Sequence, residues 1–213
     1  MFLEPGQHAA HGLDHDPIKA IVAPRPIGWI TTVSPTGVVN VAPYSFFNLV
    51  SGAPPTVFFA ASGRTRAGGV KDSQANAEAT GEFVVNVATL ELADVMNETS
   101  IEVGPEVDEA ELVGLGLVPS ERVRAPRIAA SPLHLECRWK RSVGIPDEGP
   151  ATTSFMVLGE VVGIHIDERV LDDRRRIDAT RVRPLSRLGY QDYATVTEVF
   201  EIGRPTGGDV SRR

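Results

Sequence analysis

The stretch IGWITTVSPTGVVNVAPY, residues 27–44, carries the clearest structural pattern of the chain. Both of its ends are rich in β-branched and aromatic residues, and SPTG at positions 34–37 separates them with turn-forming residues. This pattern predicts a β-hairpin with a short connection. Because Pro43 has no N–H to donate to a sheet, we expect the second strand to bulge or to lie at a sheet edge there.

Other parts of the chain repeat this strand composition or favour short helices. Further strand candidates are 56–61, 82–88, 133–143 and 154–166. Residues 72–80 favour a helix with Asp72 or Ser73 as N-cap and Gly81 at its end, and residues 89–100 favour a short amphipathic helix. The strands come in hairpins and do not alternate with helices, which predicts about six strands in a closed or split antiparallel barrel.

Length and composition restrict the class of protein. The 213 residues are 42% hydrophobic and 23% charged, as expected for one globular domain. The net charge of −7 argues against a nucleic-acid-binding protein. We expect a flexible arm at 1–17, a domain at 18–195 and a tail at 196–213. The start does not have the pattern of a signal peptide and no run is apolar enough to span a bilayer, so the sequence predicts a cytoplasmic protein without membrane contact.

Residues that commonly act as nucleophiles or metal ligands are sparse. The only cysteine, Cys137, cannot form an internal disulfide, and its apolar neighbours favour a small buried side chain. Three of the five histidines lie in the arm, and the other two lie in strand segments where structural roles are expected. The glycine-rich fingerprints of dinucleotide and P-loop sites are missing. We therefore predict neither a metal site nor a side chain that acts as a catalytic acid or base.

Groups that could bind an anion are spread over positions 31–73. They are the hydroxyl pair Thr31 and Thr32, the strand end at Ser62 with Arg64, and the helix start with Lys71 and Ser73. A helix N-terminus favours negative charge, so together these groups could surround a phosphate monoester. On spacing alone, unrelated caps and turns are the simpler reading: Ser73 would cap its helix and Arg64 would be solvated.

An aromatic and amide-bearing segment follows the predicted hairpin. It consists of Ser45, Phe46, Phe47 and Asn48. Such residues could flank a flat heterocycle and hydrogen-bond its edge. They could also simply fill one end of a barrel.

Several motifs in order along the chain resemble a known family. They are RPIGWITT at 25–32, NVAPYSFFN at 40–48, PP at 54–55, KDS at 71–73, GEFVVN at 81–86, and PLSRLG at 184–189 followed by Tyr193. Together they resemble the flavin reductase-like family of FMN-binding split-barrel proteins, of the flavoredoxin and nitrilotriacetate monooxygenase reductase-component type. The resemblance covers residues 18–195.

The resemblance implies a mainly β, Greek-key split barrel that forms a homodimer with FMN near its interface. The FMN phosphate would contact Thr31, Thr32, Arg64, Lys71 and Ser73. The flavin ring would lie against Ser45, Phe46, Phe47 and Asn48 and the strand end at Ala61 and Ser62. Apart from the resemblance, Arg187 is a candidate to reach the phosphate or adenylate of a ligand. This sequence departs from the family at Ser73, where threonine is frequent, and in the longer approach to Lys71.

The resemblance also implies the activity. Family members commonly transfer hydride from NADH or NADPH to flavin, and the reduced flavin serves a monooxygenase or another electron acceptor. Because the flavin carries the chemistry, the absence of an acid–base constellation agrees with this reading. Two alternatives remain open: an FMN-binding electron-transfer or flavin-carrier protein without its own NAD(P)H reaction, and an oxidase of the pyridoxamine-phosphate type.

Overall fold

The computed structural model describes residues 1–63, 69–145 and 154–205. Its strands are β1 Arg25–Pro26, β2 Gly28–Val33, β3 Val39–Tyr44, β4 Phe47–Gly52, β5 Pro55–Ala61, β6 Glu82–Val87, β7 Leu117–Val118, β8 Arg127–Ile128, β9 Leu133–Ile145, β10 Ser154–Ile166, β11 Leu185–Arg187 and β12 Tyr193–Thr195. Its α-helices are α1 Ile18–Ile21, α2 Asp72–Thr80, α3 Ala93–Glu98, α4 Glu109–Leu112 and α5 Ala179–Val182. Short 3₁₀ turns lie at His8–His11, Leu90–Leu92 and Glu168–Val170.

The main sheet is antiparallel and curves back on itself. Its strand order is β3-β2-β6-β9-β10-β5-β4, so β3 and β4 are its two edges. These edges are consecutive in the chain, and only Ser45 and Phe46 connect them. Three Cα–Cα steps of ~3.8 Å each must span the connection, so the sheet has to close into a barrel that is split between β3 and β4. The predicted mainly β class is therefore confirmed.

The predicted hairpin is present as β2 and β3. Gly28 lies opposite Tyr44, Val33 lies opposite Val39, and the Ser34 N–H donates to the Val38 carbonyl across the turn at 2.8 Å. Pro43 belongs to β3, where the outer side is unpaired, as its missing N–H predicts.

The edge strand β4 is a correction to the sequence analysis, which predicted about six strands and none between the hairpin at 27–44 and the strand candidate at 56–61. The main sheet has seven strands because Phe47–Gly52 pairs with β5. A register shift between Leu49 and Ser51 interrupts the alternation of side chains. Leu49 and Val50 are 60% and 53% exposed. The apolar residues of β4 therefore do not alternate in the pattern by which a strand with one buried face is recognised.

The barrel interior is filled by aromatic side chains. Phe59 and Phe83 are fully buried, and their ring centroids lie 5.3 Å apart in an edge-on arrangement. A Cβ placed on Gly159 would lie 2.4 Å from the Phe83 ring, so only glycine leaves room for that ring. Cys137 is fully buried beside them, which confirms the predicted packing role.

A second apolar cluster packs outside the barrel and fixes α3. Trp29, Met96 and Leu185 belong to it, and all three are buried. The Trp29 Nε1–H donates to the Thr99 hydroxyl at 2.9 Å, just after α3 ends. This contact holds the end of α3 beside β3, where the split of the barrel opens.

Helix α2 covers one face of the barrel and differs from expectation at its start. Lys71, and not Asp72 or Ser73, is the N-cap residue, and no described side chain caps the helix. The reason is that Ser73 points inward and its hydroxyl is engaged in the core. Gly81 ends the helix at φ +77°, as predicted.

Candidate functional site

Two adjoining cavities open beside β3, where the barrel is split. The first, of about 200 Å³, is lined among others by Asn40, Tyr44, Lys71, Asp72 and Glu109. The second, of about 390 Å³, is lined among others by Lys19, Arg25, Ser45, Phe46 and Arg187. Pro43 and Ser100 line both cavities, so a single elongated ligand could enter the two together.

The first cavity lies at the uncapped start of α2. Lys71 precedes the helix and lines the cavity. A helix start and an ammonium group both favour an anion. Three carboxyls that line this cavity oppose it, namely Asp72, Glu102 and Glu109. Burial raises the pKa of Glu109 to about 7 and also raises the pKa of Asp72. Near neutral pH the Glu109 side chain is therefore partly uncharged, which reduces repulsion of a bound anion.

Hydrogen bonds inside the protein hold the residues that line the first cavity in place. The Asn40 side-chain amide donates to the Ser73 hydroxyl at 2.7 Å, and the Val41 N–H donates to Glu109 Oε2 at 3.1 Å. Burial raises the pKa of Tyr44 to about 12, although a hydrogen bond with Ser73 opposes that shift. Tyr44 therefore stays protonated and can donate its phenolic proton.

The structure places the predicted hydroxyl pair on the two covered faces of β2. Thr31 is fully buried, donates to the Pro126 carbonyl at 2.5 Å and accepts from the Asn86 amide at 3.2 Å. Thr32 is fully buried on the side of α2 and accepts from the Asn76 amide at 3.1 Å. In the described chain neither threonine lines either cavity, because helix α2 covers one face of β2 and the segment before β8 covers the other.

The aromatic segment is divided between the second cavity and the barrel wall. Ser45 and Phe46 line the cavity. Phe47 packs over Gly28, where an added Cβ would lie 2.7 Å from the ring. Asn48 is exposed, and its side-chain oxygen accepts the N–H of Leu49 at 2.8 Å. The structure thus brings the first half of the segment to the cavity and leaves the second half on β4.

Of the remaining predicted residues that the structure describes, Arg187 lines one of the two cavities, and Ala61 and Ser62 do not. Ala61 is buried at the end of β5, opposite Phe155. The exposed Ser62 shares a hydrogen bond of 3.2 Å with the Ser154 hydroxyl. Neither lines a described cavity, whereas Arg187 lines the second one. Arg64 lies outside the described residues.

Sequence reasoning missed Arg25 and Lys19 as cavity residues. The Arg25 guanidinium donates to the carbonyls of Lys19, Val22 and Leu188, which ties α1 to the segment after β11. The Leu188 partner is 163 positions away in the chain. Such a contact leaves no local signal in the sequence, although Arg25 itself stands at the start of the first family motif.

The described residues contain neither a candidate metal cluster nor a candidate membrane span. Within 1–63, 69–145 and 154–205, histidine, cysteine and acidic side chains nowhere gather in a group of three or more that could hold a metal ion. Among the helices of the same ranges, none has the length and apolar character needed to cross a membrane.

Comparison with known proteins assigns the family. The model of the flavin reductase like domain matches residues 22–189. An uncharacterized protein of Halalkalibacterium halodurans is 38% identical over 185 residues, which cover 87% of this chain and 88% of that protein.

Two solved structures share the architecture. Nitrilotriacetate monooxygenase component B from Bacillus cereus superposes with a TM-score of 0.84 at 30% identity, over 95% of this chain and 98% of that one. A putative flavin reductase with a split barrel domain from Shewanella frigidimarina superposes with a TM-score of 0.79 at 17% identity, over 96% and 100% of the two chains, and supports the fold alone. The predicted split barrel is confirmed, and the chain belongs to the flavin reductase-like family.

Proposed function

We propose that this protein binds FMN at the split of the barrel and reduces it with hydride from NADH or NADPH. The observation that carries the proposal is the pair of adjoining cavities, with a cationic helix start at one end and an aromatic wall at the other. These residues fit FMN, because its two ends need an anion site and a flat slot with polar edges. When bound, FMN supplies the hydride acceptor.

The phosphate end of the proposed site is the first cavity. Lys71 would contact the phosphate at the start of α2, where the helix dipole adds to its charge. The phosphate site would be supported indirectly by the hydroxyl groups of Thr31, Thr32 and Ser73. Their hydrogen bonds hold β2, Asn40 and Asn76 in place behind that site. Arg64 is proposed as a second phosphate contact from its sequence position alone.

The ring end of the proposed site is the segment between β3 and β4. Ser45 and Phe46 would contact the flavin ring, and the packing of Phe47 over Gly28 fixes the course of that segment. Donors near Ser45 would stabilise the negative charge that reduction places on the ring. The protein's remaining task is to leave one ring face open for a nicotinamide at a near-attack distance of ~3–3.5 Å.

The proposal includes a homodimer. Among the described strands, β4 is an edge strand with no partner on its outer side, and its Leu49 and Val50 are largely exposed. A second copy that covers this edge would pair the exposed backbone N–H and C=O groups of β4 and would also bury its apolar surface. Asn48 lies on β4, Ala61 ends β5 and Ser62 follows it, so in such a dimer they would approach the flavin from the interface side.

Steady-state oxidation of NADH and NADPH by the purified protein with FMN tests this function. We expect turnover with one or both nucleotides and no need for a partner protein. FMN binding without any turnover would instead favour the electron-transfer or flavin-carrier alternative. The name of the Bacillus cereus neighbour suggests a monooxygenase as one acceptor of the reduced flavin. Transfer to such an acceptor is a separate assay, to be made once turnover is measured.

A further inference from the structure

The second cavity concentrates positive charge in a protein whose net charge is −7. Three of its lining side chains are cations, namely Lys19, Arg25 and Arg187, and none of its described lining side chains is acidic. The first cavity, by contrast, carries Asp72, Glu102 and Glu109 beside a single lysine. The two cavities are therefore electrostatically distinct, and the second attracts anions more strongly.

The two arginines of this cavity face each other without an acidic partner. Arg25 on β1 lies directly opposite Arg187 on β11. Burial lowers the pKa of Arg25, and the charge of Arg187 lowers it further. Like charges directly opposite in a sheet destabilise it. Over the described residues, all ion pairs within 4.0 Å involve other basic side chains. An anion from solution would relieve this repulsion.

The hydrogen bonds of the arginines leave capacity for a ligand. Arg25 is only 7% exposed, and its Nε–H has no partner among the described atoms. One terminal nitrogen of Arg187 donates to the Tyr190 carbonyl at 2.7 Å, which leaves its other donors available. Lys19 is exposed at the rim of the cavity. The site thus has the buried guanidinium of Arg25, the half-buried guanidinium of Arg187 and the exposed ammonium group of Lys19 around one space.

Aromatic walls and a third cavity extend this space. The Arg187 guanidinium stacks 4.4 Å from the centre of the Tyr193 ring, and Tyr190 and Phe46 form other walls. A cavity of about 510 Å³ adjoins on the far side and shares Arg187, Tyr193 and Asn97 with the second. The ligand that fits is long and bears its negative charge in the middle.

We propose that the Arg25–Arg187 cavity binds the diphosphate of the nicotinamide dinucleotide. Its nicotinamide end then points toward Ser45 and Phe46, and its adenosine end points into the adjoining cavity. This inference rests on the proposed function, because it assigns a site to the electron donor of that reaction. It also specifies the role of Arg187, which the sequence suggested only as a contact to the phosphate or adenylate of a ligand.

Calorimetric titration with ADP, which carries the diphosphate without the nicotinamide, tests the assignment. Arg187→Gln should weaken ADP binding about tenfold or more, since a charge-assisted hydrogen bond to phosphate is lost. Arg174→Gln is the matched control, because Arg174 is exposed and lines none of the cavities described above; it should shift ADP affinity less than about twofold. Lys19→Gln, at an exposed side chain, should weaken ADP binding without affecting folding.

FMN titration of the same variants separates this inference from the proposed function. Arg187→Gln should leave the FMN dissociation constant within about twofold of the original while ADP affinity falls. Equal ADP affinity in Arg187→Gln, Lys19→Gln and the original protein would overturn the assignment even if NADH is oxidised. A parallel loss of FMN and ADP affinity would overturn it too, by placing Arg187 in the flavin site. If ADP binding depends on Arg187 but neither NADH nor NADPH is oxidised, the assignment of the cavity is supported and the proposed reaction is contradicted.

Discussion

Gly28 shapes the split of the barrel by having no side chain. It lies on β2 opposite Tyr44 and Val87, and the Phe47 ring fills the space where a Cβ would stand. This contact fixes the connection between β3 and β4, on which Ser45 and Phe46 are displayed. A single position thus links barrel closure to the proposed flavin site.

Gly28→Ala should displace the Phe47 ring and destabilise the protein by about 1–3 kcal/mol, the usual cost of overpacking. Urea unfolding measures the change. Gly52→Ala is the matched control, because its added Cβ meets no described atom within 4 Å and its backbone is not left-handed. If both variants unfold at the same urea concentration, the close contact with Phe47 carries no energetic weight.

Glu109 should give the stability an unusual pH dependence. Its pKa rises from 4.5 to about 7 on folding, so between those values the native state holds more protons than the unfolded state. The contribution of this group to stability is therefore present below about pH 4.5 and is lost as the pH rises through about 7. Glu109→Gln keeps the acceptor for the Val41 N–H and removes the titration.

Between pH 5 and pH 8, Glu109→Gln should become more stable relative to the original protein. Its unfolding free energy should gain on the order of 1–3 kcal/mol over that of the original protein. Chemical denaturation at several pH values measures it. Glu111→Gln on the exposed side of α4 serves as control. A difference that stays constant over this range would show that Glu109 ionises normally.

At the scale of elements, buried carboxylates hold the segment between β7 and β8 onto the barrel. Glu136 is fully buried and accepts the N–H groups of Glu121 and Arg122 at 2.8 and 2.6 Å, as well as His165 Nε2 at 2.5 Å. Burial raises its pKa, but these three donors together hold it below the usual range. The same segment accepts the Thr31 hydroxyl through Pro126 and so covers one face of β2.

Glu136→Gln should destabilise the protein by about 1–3 kcal/mol, because it weakens charged hydrogen bonds and places an amide group against backbone donors. Thermal unfolding measures the loss. Glu160→Gln removes a carboxylate from the partly exposed pair with Lys140 and should change stability by less than about 1 kcal/mol. Equal melting temperatures for the two variants would contradict the anchoring role of Glu136.

Local patterns predict elements whose two faces differ or whose ends carry turn residues. The β2–β3 hairpin and the end of α2 at Gly81 are present as expected. Strand β4 escaped prediction because its apolar side chains are exposed and its register is broken. Thr31 and Thr32 were expected at a ligand, since a sequence does not show that both faces of their strand are covered.

For the whole molecule, distant pairings define the cavities. The sequence indicates the barrel through its hairpins and places Lys71, Ser45 and Phe46 near one site. It does not show that β1 pairs with β11. Nor does it show that Gly189 packs against Ala20 so closely that a Cβ added to the glycine would lie 2.6 Å from the Ala20 Cβ. These contacts between the two ends of the domain create the second cavity and its paired arginines.

The proposed dimer predicts a solution mass of twice 22.9 kDa by light scattering. Val50→Arg, on the exposed edge strand β4, should shift the protein to the monomer and weaken FMN binding, because charge on an edge opposes pairing. Leu112→Arg is the control at a similarly exposed apolar side chain on α4, and should leave the mass unchanged. A monomeric original protein, or a dimeric Val50→Arg variant, would contradict this interface.

Titration of the purified protein and of Lys71→Ala with FMN and with riboflavin tests the central claim most directly. The original protein should bind FMN at micromolar concentration or tighter, and the variant should lose about tenfold or more of its FMN affinity with little change for riboflavin. Lys140→Ala, at an exposed lysine paired with Glu160, should bind both flavins as the original protein does. Absence of FMN binding, or an equal loss for FMN and riboflavin in Lys71→Ala, would contradict a phosphate site at the start of α2.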